Sequence, residues 1–237
     1  MGPNKIGDAM KFKVGVIGAT GFIGTPYRKE LREAVKDAEI VALCARRRDR
    51  LEIAATEDKA QFITDDWREV VEHPDVNLVV VTTPDALHYE PVLACAQYGK
   101  HVFCDKPIGV DVKQAYEMWS AYRDSKLGHY VPYWSRILGI FARAREIVSQ
   151  GVLGETKAVV YRWQNNRPND IPFTWRDDAD LSASGSIGDV GSHAYDTVRW
   201  ILNEEAKRVV AHAGVITSAK PDLGEPSLGE ALEWGQL

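Results

Sequence analysis

The sequence predicts an α/β protein built on a doubly wound parallel sheet, with a second and smaller domain behind it. Three observations carry this. The first half alternates short β-branched runs with longer helical patterns, the signature of βαβ units. One run, LVVV at 78–81, is apolar at every position, as a central strand covered on both faces must be. Three glycines, Gly18, Gly21 and Gly24, fall between the first apolar run and the first helical pattern, where such a sheet makes its first turn.

The elements follow in order. KVGVIG at 13–18 is the first strand. From Phe22 to about Ala34 the pattern suits a helix with Pro26 in its first turn, where a missing N–H does no harm. EIVALC at 39–44, a helix from about Asp49, a short QFIT strand, a helix over Asp66 to Val71 and NLVVVTT at 77–83 continue the alternation. After the turn at Thr83-Pro84-Asp85 comes the helix HYEPVLACAQY, which Gly99 ends with a left-handed cap. KHVFC is the next strand, VDVKQAYEMWSAYRDS the next helix, and GHYVPYW holds a sixth strand. The boundary falls near residue 130, giving domains over 1–130 and 131–237. Beyond it, a helix runs from Leu138 to Gln150, and ETKAVVYRWQ reads as a long strand. A loop rich in Pro, Asn and Asp spans Asn165 to about Gly188, long enough to cover a site. A helix over His193 to Leu202 and a strand over Lys207 to Thr217 complete the series; the tail shows little pattern.

Composition narrows the function. A net charge of −5 over 237 residues, with 45% hydrophobic and 27% charged, gives no basic surface for nucleic acid. No run of about 18 uncharged apolar residues exists, and MGPNKIGDAMKF has no apolar stretch of signal-peptide length, so no membrane contact and a cytoplasmic location are expected. Cys44, Cys95 and Cys104 form no metal-ligand spacing and read as reduced, buried side chains.

The glycine loop carries the first chemical reading. Gly18 would allow the sharp turn, Gly21 would let a pyrophosphate approach the backbone, and Gly24 would let the helix pack close to the strand. The helix N-terminus would offer N–H groups and its dipole to the phosphates. Thr20, Phe22 and Ile23 complete the expected contact set around a dinucleotide. The spacing, G-x-x-G-x-x-G, is one residue longer than G-x-G-x-x-G, which would shift those contacts. An NAD site expects a carboxylate at the end of the second strand. Here that strand ends in VALC and is followed by Arg46, Arg47 and Arg48, so a 2′-phosphate is favoured and NADP is expected, with NAD the second choice.

Two further clusters point to catalysis. CDKPIG places Lys106 just past the carboxyl end of the fifth strand, where open α/β sheets bind ligands. Its ammonium could hold a substrate hydroxyl, stabilise developing negative charge, or take part in proton transfer. In GDVGSHAYD, Asp189, His193 and Asp196 fall four and three residues apart, one face of a helix if the turn is helical. His193 would be a proton acceptor oriented by a carboxylate, or a satisfied buried histidine, with Ser192 or Asp189 as N-cap. A metal is the weaker reading, since no further ligand cluster is visible.

These blocks, GVIGATGFIG, VTTPDALHYEPVLACAQYGKHVFCDKP and GSIGDVGSHAYDTVRWIL, resemble in order and spacing the glucose-fructose oxidoreductase, inositol dehydrogenase and MocA family across residues 12–217. The resemblance implies a Rossmann domain followed by an α+β domain whose open, mostly antiparallel sheet meets the nicotinamide. It implies oxidation of a sugar or polyol hydroxyl, or reduction of the corresponding carbonyl. Carried over by position, Asp105-Lys106-Pro107 stands where the family has Glu-Lys-Pro, with Lys106 catalytic or substrate-holding. His193 becomes the acid/base, Asp189 a partner of substrate or histidine, and Asp196 a further substrate contact. Thr83 and Pro84 match the turn along the cofactor, and Trp175 and Arg176 a segment near the substrate. Asp in place of Glu before Lys106 moves a carboxylate by about one methylene. Members of the family extend past the position of Leu237, so the second domain is expected to be either part of a longer one or reduced; homo-oligomerisation through its sheet stays open.

The leading expectation is therefore an NADP-dependent oxidoreductase acting on CH–OH groups of a small sugar or polyol. A non-catalytic NAD(P)-binding sensor of the same fold is the alternative. A semialdehyde dehydrogenase, suggested by GATGFIG, needs a cysteine nucleophile in the second domain, and all three cysteines precede residue 105.

Overall fold

A computed structural model describes residues 11–164, 173–183 and 185–214. They divide into two compact units that part between Val131 and Pro132. The first holds six parallel strands, β1 (Phe12–Ile17), β2 (Ala38–Cys44), β3 (Phe62–Thr64), β4 (Leu78–Val81), β5 (His101–Cys104) and β6 (His129–Tyr130), in the order β3-β2-β1-β4-β5-β6. Five helices connect them: α1 (Gly24–Ala34), α2 (Arg48–Asp58), α3 (Trp67–Glu72), α4 (Tyr89–Gln97) and α5 (Val112–Arg123). The strand order reverses between β1 and β4. That is the switch point beside which open α/β sheets form their ligand crevice.

Period-two alternation sorts the core onto two faces. Val14, Val16, Leu43 and Val80 pack with Leu51 and Ala54 of α2 on one side. Ile17, Cys44, Val79, Val81 and Val102 pack with Val70, Val71, Cys95, Met118 and Tyr122 on the other. A bulge between Val14 and Gly15 skips Val41 of β2, so Ile40 and Leu43 both reach the first face. Each fully buried valine contributes roughly 1.5–3 kcal/mol over exposure. Helix ends follow local chemistry: Asp66 caps α3 through Arg68 N, Asp111 caps α5 through Gln114 N, and Gly99, at φ +69°, ends α4. Lys100 is buried at the start of β5, its Nζ donating to the carbonyls of His73 (3.0 Å) and Val76 (2.7 Å).

The second unit departs from expectation. Its helices α6 (Gly139–Ser149) and α7 (Ser192–Leu202) form and pack together, with Arg145 over the Trp200 ring at 4.9 Å. The strands expected over 155–164 and 207–217 do not form: 155–164 and 207–214 are irregular, and 215–217 lie outside the described residues. A strand exists only through its ladder, and neither stretch meets a partner among the described residues. The expected loop to Gly188 is shorter at its end, because a helical turn starts at Ile187; its 165–172 portion and residue 184 lie outside the described residues. In the first unit, β6 contracts to two residues within GHYVPYW.

Burial pushes the Cys44 and Cys95 thiols up to about 12 and Cys104 well above the ordinary value of 9.0. A thiol reagent at pH 7.5 should therefore find no reactive cysteine in the folded chain and three in denaturant. Because these pKa values are raised by folding, their stabilising contribution is complete below the unfolded value of about 9 and is lost as pH climbs toward 12. Denaturant midpoints measured from pH 8 to 11 should fall over that interval.

Candidate active site

The glycine turn is fixed by what surrounds it. β1 ends at Ile17, and Gly18 takes φ +82° with its Cα against the Thr82 carbonyl; a Cβ there would lie 2.8 Å from that oxygen. A Cβ on Gly24 would stand 2.2 Å from the Gly18 carbonyl oxygen, so the first residue of α1 must be bare for the helix to seat on the turn. Gly21 differs. Its Cβ would meet Gly18 O at 3.3 Å and Thr82 O at 4.0 Å, and no other group within that radius. The fold itself demands glycine at 18 and 24 and leaves the surface at 21 open to a close-approaching ligand. No side chain caps α1 and no acidic residue occupies its first turn, leaving its positive end available to an anion.

Two residues that the motif does not reveal hold this turn. Thr82 Oγ1 lies 2.9 Å from Ile17 O and 3.2 Å from Gly18 O, within donating reach of either. Arg28, 3% exposed, donates to Ala19 O (3.1 Å) and Ala54 O (3.3 Å) and pairs through Nε with Asp58, which also takes Arg32. Thr20 and Ile23 are half-buried beside them, and Phe22 is 43% exposed.

At the end of β2, Cys44 and Ala45 are buried, while Arg46, Arg47 and Arg48 are exposed. Arg47 pairs with Asp49 at 3.5 Å and Arg48 with Glu52 at 2.9 Å. Exposed pairs of this kind contribute about 0–1 kcal/mol, so a ligand phosphate can replace them readily. Arg46 has no carboxylate partner among the described residues.

β4 lies beside β1 and β5 beside β4, on the same side of the switch point, and their carboxyl ends carry Thr83-Pro84 and Asp105-Lys106-Pro107. Asp105 N extends the ladder to Val81 O at 2.9 Å, and the Lys106–Pro107 peptide is cis. Thr83 Oγ1 donates to Leu87 O at 3.1 Å across a helical turn at Asp85–Leu87. Lys106 is half-buried. The first unit thus gathers Gly18 to Gly24, Thr83, Pro84 and Lys106 at one end of the sheet.

The second unit holds the other candidates. His193, in the first turn of α7, is 8% exposed and is ringed by Tyr133 (5.7 Å), Trp134 (5.9 Å) and Trp163 (6.1 Å, nearly parallel). Asp189 sits in a π-helical turn, Ile187–Gly191, that leads into α7, so its register against His193 is wider than a regular helix would give. It pairs with Arg176 at 3.3 Å, whose guanidinium also covers Trp175 at 4.4 Å. Asp196 is buried, and Arg136 grips both its oxygens at 2.8 and 2.5 Å. That fork is an anchor between Arg136 and α7, a role that the D-x-x-x-H-x-x-D spacing did not convey. Burial first, and then Asp196, hold the Tyr133 phenol above its ordinary range. Among the described residues no group of three or more His, Cys, Asp or Glu is placed to hold a metal, and no helix is long and apolar enough to cross a membrane.

Comparison with known proteins agrees with this layout. The sequence model for an oxidoreductase family with an NAD-binding Rossmann fold matches residues 12–131, and that for the GFO/IDH/MocA C-terminal domain matches 141–226. Levoglucosan dehydrogenase of Pseudarthrobacter phenanthrenivorans is 30% identical over 76% of this chain and 43% of its own. Myo-inositol 2-dehydrogenase of Thermotoga maritima is 30% identical over 86% of this chain and 59% of its own. The crystal structure of an oxidoreductase domain protein from Kribbella flavida superposes with a TM-score of 0.73 at 28% identity, over 82% of this chain and 55% of that one. The chain spans about half the length of the relatives it matches.

The packing separates the glycines. Gly24→Ala should destabilise the first unit by about 1–3 kcal/mol or more in a denaturant melt, and Gly21→Ala by clearly less. Asp196→Ala should cost about 1–3 kcal/mol in the same assay, less than a wholly enclosed ion pair because Arg136 is partly solvated.

Proposed function

The chain belongs to the glucose-fructose oxidoreductase, inositol dehydrogenase and MocA family, and we propose that it is an NADP-dependent oxidoreductase that moves a hydride between nicotinamide and a carbinol or carbonyl carbon of a sugar or polyol. The observation that carries this reading is the convergence of the glycine turn, the Thr83-Pro84 turn and Lys106 at the carboxyl ends of three adjacent strands. The names of the relatives, which act on levoglucosan and myo-inositol, supply the substrate class.

The residues present fit a dinucleotide. Gly21 leaves the surface of the turn bare for a pyrophosphate, flanked by Thr20, Phe22 and Ile23, and α1 presents its uncapped N-terminus. Arg46 and Arg47 would take a 2′-phosphate as a bidentate, charge-assisted contact. Thr83, Pro84 and Lys106 would line the nicotinamide end. Bound there, the cofactor supplies hydride donation or acceptance. The chain supplies the rest. Lys106 holds the substrate oxygen and stabilises the negative charge that gathers on it. His193 takes the hydroxyl proton in oxidation and returns it in reduction, its imidazole walled from water by Tyr133, Trp134 and Trp163. Asp189, clamped by Arg176 beside Trp175, orients a substrate hydroxyl, and Asp196, held by Arg136, anchors α7. In this reading residues 1–130 bind the nucleotide and 131–237 serve the substrate.

NADPH should bind at least about tenfold more tightly than NADH, and Arg46→Glu should reverse that order; a clear preference of the unaltered chain for NADH removes the NADP assignment. With a panel of polyols and sugars, Lys106→Met and His193→Ala should each lower kcat about 10²–10⁴-fold while the NADPH dissociation constant stays within a few-fold. Full turnover by either variant ends that residue's role.

A further inference from the structure

His88 precedes α4 with its side chain wholly enclosed, at 0% exposure. Its two ring nitrogens face main-chain carbonyls of two different loops. Nε2 is 2.9 Å from Thr83 O, in the turn after β4, and Nδ1 is 3.0 Å from Pro107 O, in the loop after β5. A carbonyl oxygen only accepts, and a neutral imidazole carries one N–H. Both contacts are hydrogen bonds at once only if the ring carries a proton on each nitrogen.

We infer that His88 is a positioning residue: donating from both ring nitrogens, it ties the Thr83 turn to the Lys106–Pro107 loop and so fixes where the Lys106 amine stands. The inference rests on the proposed function only for the work it assigns to Lys106. Two features support it. The bridged residues are the immediate neighbours of Pro84 and Lys106, so a shift of either loop moves a group assigned to the nicotinamide end. The imidazole stands within hydrogen-bonding distance of both carbonyls, so its loss takes that partner from each of them at once.

Two measurements test this. In the first, long-range ¹H–¹⁵N spectra of the unaltered chain at pH 7 should show both His88 ring nitrogens protonated. A neutral tautomer with one bare nitrogen overturns the clamp, whatever the enzyme does. In the second, His88→Gln, whose amide donates from a single nitrogen, is combined with Lys106→Met. His88→Gln alone should lower kcat at least about tenfold with NADPH affinity within a few-fold. In the Lys106→Met background it should produce no further loss, because it acts through that amine. Independent, multiplying losses overturn the positioning role, as does a His88→Gln protein of ordinary kcat. If the unaltered chain oxidises no member of the polyol panel, the proposed function falls, while the ring's protonation still decides the clamp.

Discussion

At the carboxyl edge of a parallel sheet, main-chain carbonyls leave the ladder, and each one that stays buried must find a donor elsewhere. This requirement shapes the first unit. Thr82 reaches Ile17 O and Gly18 O, Arg28 reaches Ala19 O, and His88 reaches Thr83 O and Pro107 O. The glycine turn is thus held by side-chain donors, and the carbonyls of the Thr83 turn and of the Lys106–Pro107 loop both face the His88 ring. A carbonyl held in this way is costly to disturb, since an acceptor left buried without a donor loses about 1–3 kcal/mol. Loops on a doubly wound sheet need such fixing, because a phosphate contact loses its value if the backbone N–H groups drift.

How much of this was written in the sequence depends on the distance between partners. Strands and helices of the first unit declare themselves over a few residues, as LVVV and the Asp66 and Asp111 caps do, and the glycine spacing announces the turn. Thr82, Arg28 and His88 were not legible as site residues. Each acts across a separation of 5 to 65 positions, on a carbonyl that has no sequence identity of its own. An arginine in an amphipathic helix looks solvated, and only its 3% exposure reveals otherwise. Likewise the strands expected over 155–164 and 207–217 rested on local alternation, whereas a strand is settled by its neighbour.

The second unit shows the same limit in its chemistry. Spacing alone suggested that Asp189, His193 and Asp196 act as one group. The side chains divide the labour: Arg136 grips Asp196, Arg176 pairs with Asp189, and aromatic rings enclose His193. Neither arginine has a sequence signature tying it to α7. Tyr133 and Trp134, which look like the end of a strand in GHYVPYW, instead give the histidine a dry surround that strengthens any hydrogen bond it makes.

The anchoring of α2 gives the nucleotide end a modular character. One end of that helix is locked by Arg28 through Ala54 and Asp58, while the other opens at Arg48, where exposed guanidinium groups are paired only loosely. The two ends lie about three turns apart and share no side chain. Under the proposed function, redox-currency preference can therefore drift, in evolution or at the bench, by exchange of a few surface residues, while the scaffold that grips the turn stays untouched.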